Sequence, residues 1–71
     1  MVEFFPILSK VSNLGLVRPG DLIEAREGDT FYCQERIDVV DVDRGIIWIR
    51  RHSGHLEPLS TEHFTFWRYV I

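Results

Sequence analysis

The chain has little cysteine, no long apolar run and no excess of positive charge, and each shortage excludes a class of protein. Cys33 is the only cysteine among 71 residues, so no disulfide can form within the chain, as is usual in reducing compartments. No apolar run approaches the ~20 residues of a membrane-spanning helix, and the first residues lack the basic start of a signal peptide. We therefore expect a cytoplasmic protein without membrane contact.

The charge balance argues against a protein that binds nucleic acid through phosphates alone. The formal net charge is −3, whereas such proteins usually carry a strong basic excess. Residues 21–43 contain eight acidic residues against two arginines, while residues 44–71 contain four arginines against two acidic residues. A mixed, soluble surface is the simplest interpretation, and a small acidic inhibitor of a basic protein is an alternative.

What the chain does contain is enough apolar material for one folded domain. Apolar residues make up 45% of the sequence and aromatic residues 13%, which favours a packed core over disorder. A chain this short buries only about 60% of its unfolded surface, so its stability margin is thin. We predict a single domain over residues 1–71, divided into an N-terminal helical arm at 1–17 and a small β-barrel at 18–71.

The N-terminal arm carries a helical pattern. Ile7, Val11 and Leu14 are spaced i, i+4, i+7, which places them on one face of a helix. Pro6 suits the first turn of a helix, and Gly15 suits the position just after its end. Because so short a helix is unstable alone, we expect it to pack its apolar face against the barrel. An irregular arm is the alternative, because Ser and Asn are weak helix formers.

Turn residues divide the remaining chain into five predicted strands. Arg18-Pro19-Gly20-Asp21 and Glu27-Gly28-Asp29 are typical turn sequences, and alternating or β-branched apolar residues lie between the turns. A single helical turn is predicted at residues 60–63, and Pro58 limits the strand before it to a sheet edge because proline lacks an N–H. The predicted strands are residues 22–27, 31–42, 46–49, 55–59 and 66–71.

The strongest local signal is a β-hairpin that turns at Asp43-Arg44-Gly45. Three loop residues ending in Gly fit a type I turn followed by a bulge, which places Val42 opposite Ile46. The apolar phase of the long strand changes between Val39 and Val40, which is typical of a bulge or a sharp bend. Small barrels need such bends to close.

This order of elements resembles the five-stranded barrels of SH3-like and Tudor-like domains over roughly residues 19–71, and Pro19-Gly20-Asp21-Leu22-Ile23 resembles the opening of KOW-type domains. The resemblance implies a mainly β fold: a five-stranded SH3-like barrel with a short N-terminal helix and a single helical turn before the last strand. Such barrels serve many functions. The acidic opening and paired tryptophans of peptide-binding SH3 domains are absent, so binding of proline-rich peptides is not expected.

The aromatic residues exceed what so small a core can hide. Alternation places Phe31, Trp48, Phe64 and Phe66 in the core and leaves the other aromatic residues of the strands for the surface. Exposed aromatic rings can bind cations or stack on bases, and they are typical of protein contacts. The candidate binding residues are Tyr32, Trp67, Tyr69, Arg50, Arg51 and Arg68.

A nucleic-acid-binding barrel is the main alternative to a protein-binding one. Its basic face would be formed by Arg44, Arg50, Arg51 and Arg68. Three aspartates between residues 38 and 43 lie on the partner strand of the hairpin, and they would pair with the arginines or repel phosphate.

Sequence motifs of catalysis and metal binding are absent. There is no nucleophile elbow, phosphate-binding loop or dinucleotide fingerprint, and Cys33 lies in an alternating strand as a small core residue. His52, His55 and His63 offer only one closely spaced ligand pair, whereas structural zinc usually uses two. We expect no enzyme, metal, cofactor or small-molecule substrate, and we predict a non-catalytic module that binds a protein partner or a second copy of itself.

Overall fold

The computed structural model describes residues 7–70, which form a sheet of six antiparallel strands. The strands are β1 (Ile7–Lys10), β2 (Leu22–Glu27), β3 (Thr30–Asp41), β4 (Ile46–Arg50), β5 (Leu56–Ser60) and β6 (Thr65–Val70). Their order in the sheet is β1-β6-β2-β3-β4-β5. More than half of the described residues lie in strands, which confirms the prediction of a mainly β protein.

The sheet is open, so the predicted five-stranded barrel is corrected to a sheet of six strands. β1 and β5 form its two edges, and no pairing joins them within residues 7–70. β6 is paired on one side with β2 and on the other with β1, so β5 finds no free strand edge there. The prediction that Pro58 limits its strand to an edge is confirmed, because β5 is an edge strand.

The predicted N-terminal helix is wrong, because this segment contributes β1 to the sheet. β1 pairs with β6, with Ile7 opposite Val70. The edge of β6 offers backbone hydrogen bonds to the residues of β1. A short helix must instead fix several residues before its first hydrogen bond forms, which is unfavourable. The expected helix start at Pro6 and the expected strand end at Ile71 lie outside the described residues.

Helical structure within residues 7–70 is limited to one 3₁₀ turn, Leu14–Leu16. The side-chain oxygen of Asn13 accepts the Gly15 N–H at 2.8 Å and so caps this turn. The second predicted helical turn, before β6, is a hydrogen-bonded turn in which the Ser60 carbonyl accepts the Phe64 N–H at 2.9 Å. Neither segment is an α-helix. The sequence predicted a helix only for the N-terminal arm, and it predicted a single turn at residues 60–63.

The predicted turn before β2 is confirmed. Pro19 and Gly20 occupy its centre, and the Asp21 N–H closes it on the Arg18 carbonyl at 3.1 Å. Gly20 has a φ of 94°, which the third residue of a type II turn requires. The Gly20 N–H also donates to the Ile37 carbonyl at 2.8 Å, which ties the turn to β3.

The β3–β4 hairpin is present, but its register differs by one residue from the prediction. Asp41, and not Val42, lies opposite Ile46. The Asp41 carboxylate accepts the Arg44 N–H at 3.1 Å, and the Gly45 N–H donates to the Val42 carbonyl at 3.2 Å. The loop therefore contains four residues, because Val42 joins the turn instead of extending the strand.

The predicted bend in the long strand is confirmed as a bulge, and it lies at Asp38. Ile37 pairs with Ile49 and Val39 pairs with Trp48, so β3 has one residue more than β4 in this interval. The extra residue reverses the alternation of side chains. Ile37 is therefore buried in the core at 3% exposure, whereas Val39 points outward and is 46% exposed.

One core joins both ends of the sheet, which folds across itself to enclose it. Ile23, Ile47, Ile49 and Leu59 are fully buried there. The other members of the core are Leu14, Val17, Ala25, Cys33, Ile37 and Phe66. The same core thus contains residues from β2 and β6 and residues from β4 and β5, although these strands are not neighbours in the sheet.

Only one of the four aromatic residues assigned to the core is fully enclosed. Phe66 is 2% exposed, and Phe64 is half-buried against the core. Trp48 is half-buried on the outer face, and Phe31 is 57% exposed near the start of β3. Trp48 shows that packing decides which face of a strand turns inward. Phe31 is moved off the face of Cys33 by a second register shift, in which Tyr32 is an extra residue of β3 opposite Ala25 and Arg26.

Candidate binding surfaces

The outer face of β3, β4 and β5 carries a partly exposed apolar row. Val39, Trp48 and Pro58 are cross-strand neighbours, and they point outward because Ile47, at the alternating position of β4, is fully buried. Leu56 lies on the same face of β5 and is 37% exposed. We call Val39, Trp48, Pro58 and Leu56 the Trp48 face.

Two ion pairs border the Trp48 face. Arg50 Nε lies 3.5 Å from the Asp38 carboxylate, and Arg44 Nε lies 3.8 Å from the Asp41 carboxylate. Arg50 and Arg44 are well exposed, so each pair contributes little to stability. Their effect is to balance charge on both sides of the apolar row.

The open edge of β5 is protected by its proline. The Arg51 N–H donates to the His55 carbonyl at 2.8 Å, and the Thr61 N–H donates to the Gly45 carbonyl at 2.9 Å. These two bonds set the antiparallel alternation, so the backbone groups of Pro58 point away from β4. Because proline lacks an N–H, an added strand would lose its central hydrogen bond. A partner is therefore expected to meet the side-chain face and not the edge.

A second cluster covers one end of the inner face and centres on Glu57 of β5. Arg51 Nε donates to Glu57 Oε1 at 2.8 Å, and the Tyr32 hydroxyl donates to Glu57 Oε2. The Arg51 guanidinium carbon lies 5.2 Å from the centre of the Tyr32 ring, and the Tyr32 and Phe64 ring centres are 4.9 Å apart. We call these four residues the Glu57 cluster.

Hydrogen bonds within the Glu57 cluster stabilise its charged carboxylate. The bonds from Arg51 and then Tyr32 lower the pKa of Glu57 below its ordinary 4.5. The bond to Glu57 and burial raise the pKa of Tyr32 above 10.0. At neutral pH the cluster therefore holds an arginine cation, a carboxylate and a neutral phenol. Such a set is suited to binding and stability and poorly suited to proton transfer near pH 7.

A third cluster lies on the outer face of β2 and β6. Glu24 is 9% exposed and accepts hydrogen bonds from Arg26 Nε and, at 3.3 Å, from the Tyr69 hydroxyl. The Arg26 guanidinium carbon lies 4.5 Å above the Trp67 ring. Burial, followed by the charge of Glu24, raises the pKa of Tyr69 above 10.0. We call these four residues the Glu24 cluster.

The six predicted binding residues are distributed over four places. Tyr32 and Arg51 belong to the Glu57 cluster, and Trp67 and Tyr69 belong to the Glu24 cluster. Arg50 borders the Trp48 face. Arg68 lies near β1, where its guanidinium is 3.5 Å from the Leu16 carbonyl. The structure therefore does not bring these residues together in one site.

The sequence pattern missed the residues that organise these surfaces. Glu24 and Arg26 are two residues apart on one strand, so their shared face was a usable signal for an ion pair. Glu57 gave no such signal, because its partners are six and 25 residues away. Trp48 was assigned to the core, although Ile47 and Ile49 on the alternate face are the stronger candidates for burial.

Candidate metal and thiol chemistry finds no support in the geometry. Within residues 7–70, no three His, Cys, Asp or Glu side chains converge as metal ligands would. Cys33 is buried, and burial raises the pKa of its thiol above the ordinary 9.0. The thiolate form that acts as a nucleophile is therefore disfavoured.

Comparisons with known proteins found no similar protein, so the proposed function is based on the structure. No protein-family model matches the chain, and no curated protein or solved structure is significantly similar to it. No helix in the stretch 7–70 is long and apolar enough to cross a membrane.

Proposed function

We propose that this chain is a non-catalytic protein-interaction module that binds a partner protein through the Trp48 face. The observation that carries the proposal is the cross-strand row of Val39, Trp48 and Pro58, which presents apolar surface outside the core. A tryptophan surrounded by smaller apolar residues is a common centre of binding energy in protein interfaces. The neighbour order β6-β2-β3-β4-β5 supports an SH3-like fold to which β1 is added.

The size of the Trp48 face favours a different protein over a stable dimer of this chain. Three strands spaced ~4.8 Å apart and five residues long present roughly 200–250 Å² of sheet. A stable interface needs roughly 800 Å² from each partner. The face therefore serves as the centre of a transient contact, and the partner extends that contact beyond the sheet with an apolar side chain placed beside Trp48.

The two alternatives have weaker support. Arg44, Arg50 and Arg51 each lie within 4 Å of a carboxylate, so most of the candidate basic face is neutralised and would attract phosphate weakly. The same pairs neutralise acidic residues that an inhibitor of a basic protein would need. Retention of the protein on a heparin column at low salt would support the nucleic-acid alternative.

Position-specific crosslinking tests the proposal. A photoreactive residue at position 39 should capture a partner in the native cell, whereas one at Gln34, on the outer face of the other half of β3, should not. In the protein that carries the probe at position 39, Trp48→Ala should abolish capture, and Trp67→Ala should leave it intact. Val39 is exposed, so its substitution tests binding without opening the core. Equal capture at positions 39 and 34, or none at 39, would contradict the proposal.

Self-association is the competing outcome of the same experiment. Sedimentation at rising protein concentration measures it directly. A dimer that Val39→Asp dissociates would identify a second copy as the occupant of the Trp48 face, and it would contradict our assignment of a different protein.

A further inference from the structure

A pocket lies between β1, β6 and the 3₁₀ turn, on the opposite edge of the sheet from the Trp48 face. Its volume is about 60 Å³. The lining residues are Ser9, Lys10, Val11, Leu16, Val17 and Arg68. We call it the Arg68 pocket. Ser9 and Arg68 share one face of the sheet, so the pocket offers a guanidinium and a hydroxyl, and no acidic residue of the described stretch 7–70 lines it. Lys10 lies opposite Trp67, so its side chain leaves β1 on the other face.

The fold fixes the walls of the Arg68 pocket. Ser9 lies opposite Arg68 in the pairing of β1 with β6. Val17 is buried in the core at 5% exposure and forms the floor, and Leu16 is 63% exposed and forms part of the rim. Two of the walls are therefore strands, and the third is anchored in the core by Val17.

Arg68 differs from the other arginines that the sequence singled out. Arg44, Arg50 and Arg51 each have a carboxylate partner. Within residues 7–70, no ion pair joins Arg68 or Lys10 to a carboxylate, and the recorded hydrogen bond of Arg68 is a long one of 3.5 Å to the Leu16 carbonyl. The guanidinium fork thus retains donors suited to an oxyanion.

We propose that the Arg68 pocket binds one small oxyanion, a phosphate or carboxylate group, held by the Arg68 guanidinium with the Ser9 hydroxyl as a further donor. The volume suits a single such group. The apolar rim at Leu16 would contact whatever carries the group. This inference is independent of the Trp48 face, because the two surfaces lie at different edges of the sheet.

Titration by nuclear magnetic resonance tests the pocket. Inorganic phosphate and acetate are added to the ¹⁵N-labelled protein at constant ionic strength, with chloride as the balancing ion. Saturable shifts are expected at the amides of residues 9, 10, 16, 17 and 68, with a dissociation constant on the order of 1 mM. Stronger binding of phosphate indicates a phosphoryl ligand, and stronger binding of acetate indicates a carboxylate.

Substitutions decide whether the pocket is responsible. Arg68→Gln should weaken binding about tenfold, and Arg68→Lys should keep part of it. Lys10→Gln should change binding little, because the Lys10 side chain leaves β1 on the other face. Arg50→Gln is the matched control, because it removes the same charge from the far side of the sheet. Shifts that fail to saturate, that track ionic strength alone, or that survive Arg68→Gln in a folded protein would overturn the proposal.

Discussion

The Glu57 and Glu24 clusters combine the same chemical groups in two regions of one sheet. Each has a carboxylate that accepts hydrogen bonds from an arginine Nε and a tyrosine hydroxyl, and in each the arginine lies over an aromatic ring. They differ in origin. Glu24 and Arg26 are neighbours on β2, whereas the Glu57 cluster draws on β3, the end of β4 and β5.

This difference separates a local ion pair from a tertiary one. The pair on β2 can form wherever that strand is extended, so it adds little to the cooperativity of the fold. Glu57 can meet Arg51 and Tyr32 only when β3, β4 and β5 are assembled, and it ties down an edge strand. Glu24 is also the more buried of the two carboxylates, so more of its attraction is offset by desolvation.

The largest expected effect is from substitution of the two carboxylates. Glu57→Gln should lower the free energy of unfolding by about 2 kcal/mol, because Arg51 and Tyr32 lose a charged acceptor. Glu24→Gln should cost about 1 kcal/mol or less, because the amide oxygen can still accept from Arg26 and the hydrogen bond from Tyr69 is long at 3.3 Å. Urea denaturation at neutral pH measures both values. An equal or larger loss of unfolding free energy in Glu24→Gln would contradict the idea that a pair between strands stabilises the fold more than a pair within one strand.

Acid pH should reduce the advantage of the wild-type protein over Glu57→Gln. The folded-state pKa of Glu57 lies below its unfolded value, so its contribution is complete above about 4.5 and is lost as pH falls through the folded pKa. Urea denaturation in steps below pH 4.5 should show the two proteins converging. Glu24→Gln retains Glu57 and should keep this part of the acid dependence. A constant difference across the range would argue against a lowered Glu57 pKa.

Substitution of Tyr32 or Tyr69 by Phe removes the hydrogen bond from tyrosine to the carboxylate in each cluster. Tyr32→Phe should cost about 1 kcal/mol, and Tyr69→Phe less than ~0.5 kcal/mol because its bond to Glu24 is long at 3.3 Å. The same denaturation experiment applies. The phenolate absorbance gives an independent check: Glu57→Gln should lower the pKa of Tyr32, because that carboxylate is the main cause of its rise. Unchanged phenolate titration would contradict this cause.

The smallest expected effect concerns the Arg26 guanidinium, which lies over the Trp67 ring. In a Glu24→Gln background, where the ion pair is already absent, Arg26→Gln should cost about a further 0.5 kcal/mol, since a partly exposed cation on an aromatic ring contributes little. Greater solvent contact should shift the Trp67 fluorescence to longer wavelength. A Trp48→Phe background isolates the signal, because the chain has only two tryptophans. No spectral change would indicate that the guanidinium does not shield the ring in solution.

Turns and strand positions could be predicted because they depend on neighbouring residues. Pro19 and Gly20 form the predicted turn, and β2 has the predicted bounds. The bulge in β3 was visible as a change in the apolar phase, one residue from its position at Asp38. β1 could not be predicted in this way, because its stability depends on pairing with β6, about sixty residues along the chain.

The candidate sites were harder to predict than the strands. The binding role of the six aromatic and arginine residues stays a prediction. Tyr32 and Tyr69 donate hydrogen bonds to Glu57 and Glu24 on other strands, and the sequence pattern did not indicate these partners. The hairpin register depends on one side chain, Asp41, which accepts a loop N–H and moves Val42 into the turn. Such competition between a strand and a local side-chain bond is not visible in apolar periodicity.

Local residue chemistry is enough to set the turns, the alternation of each strand and the protected character of the Pro58 strand, because these depend on φ preferences and on a missing N–H. The order of the strands, the inward face of each one and the partners of Glu57 follow from burial of a shared core. That burial is a property of distant residues packed together, and it places Trp48 outside although its neighbours Ile47 and Ile49 are fully enclosed.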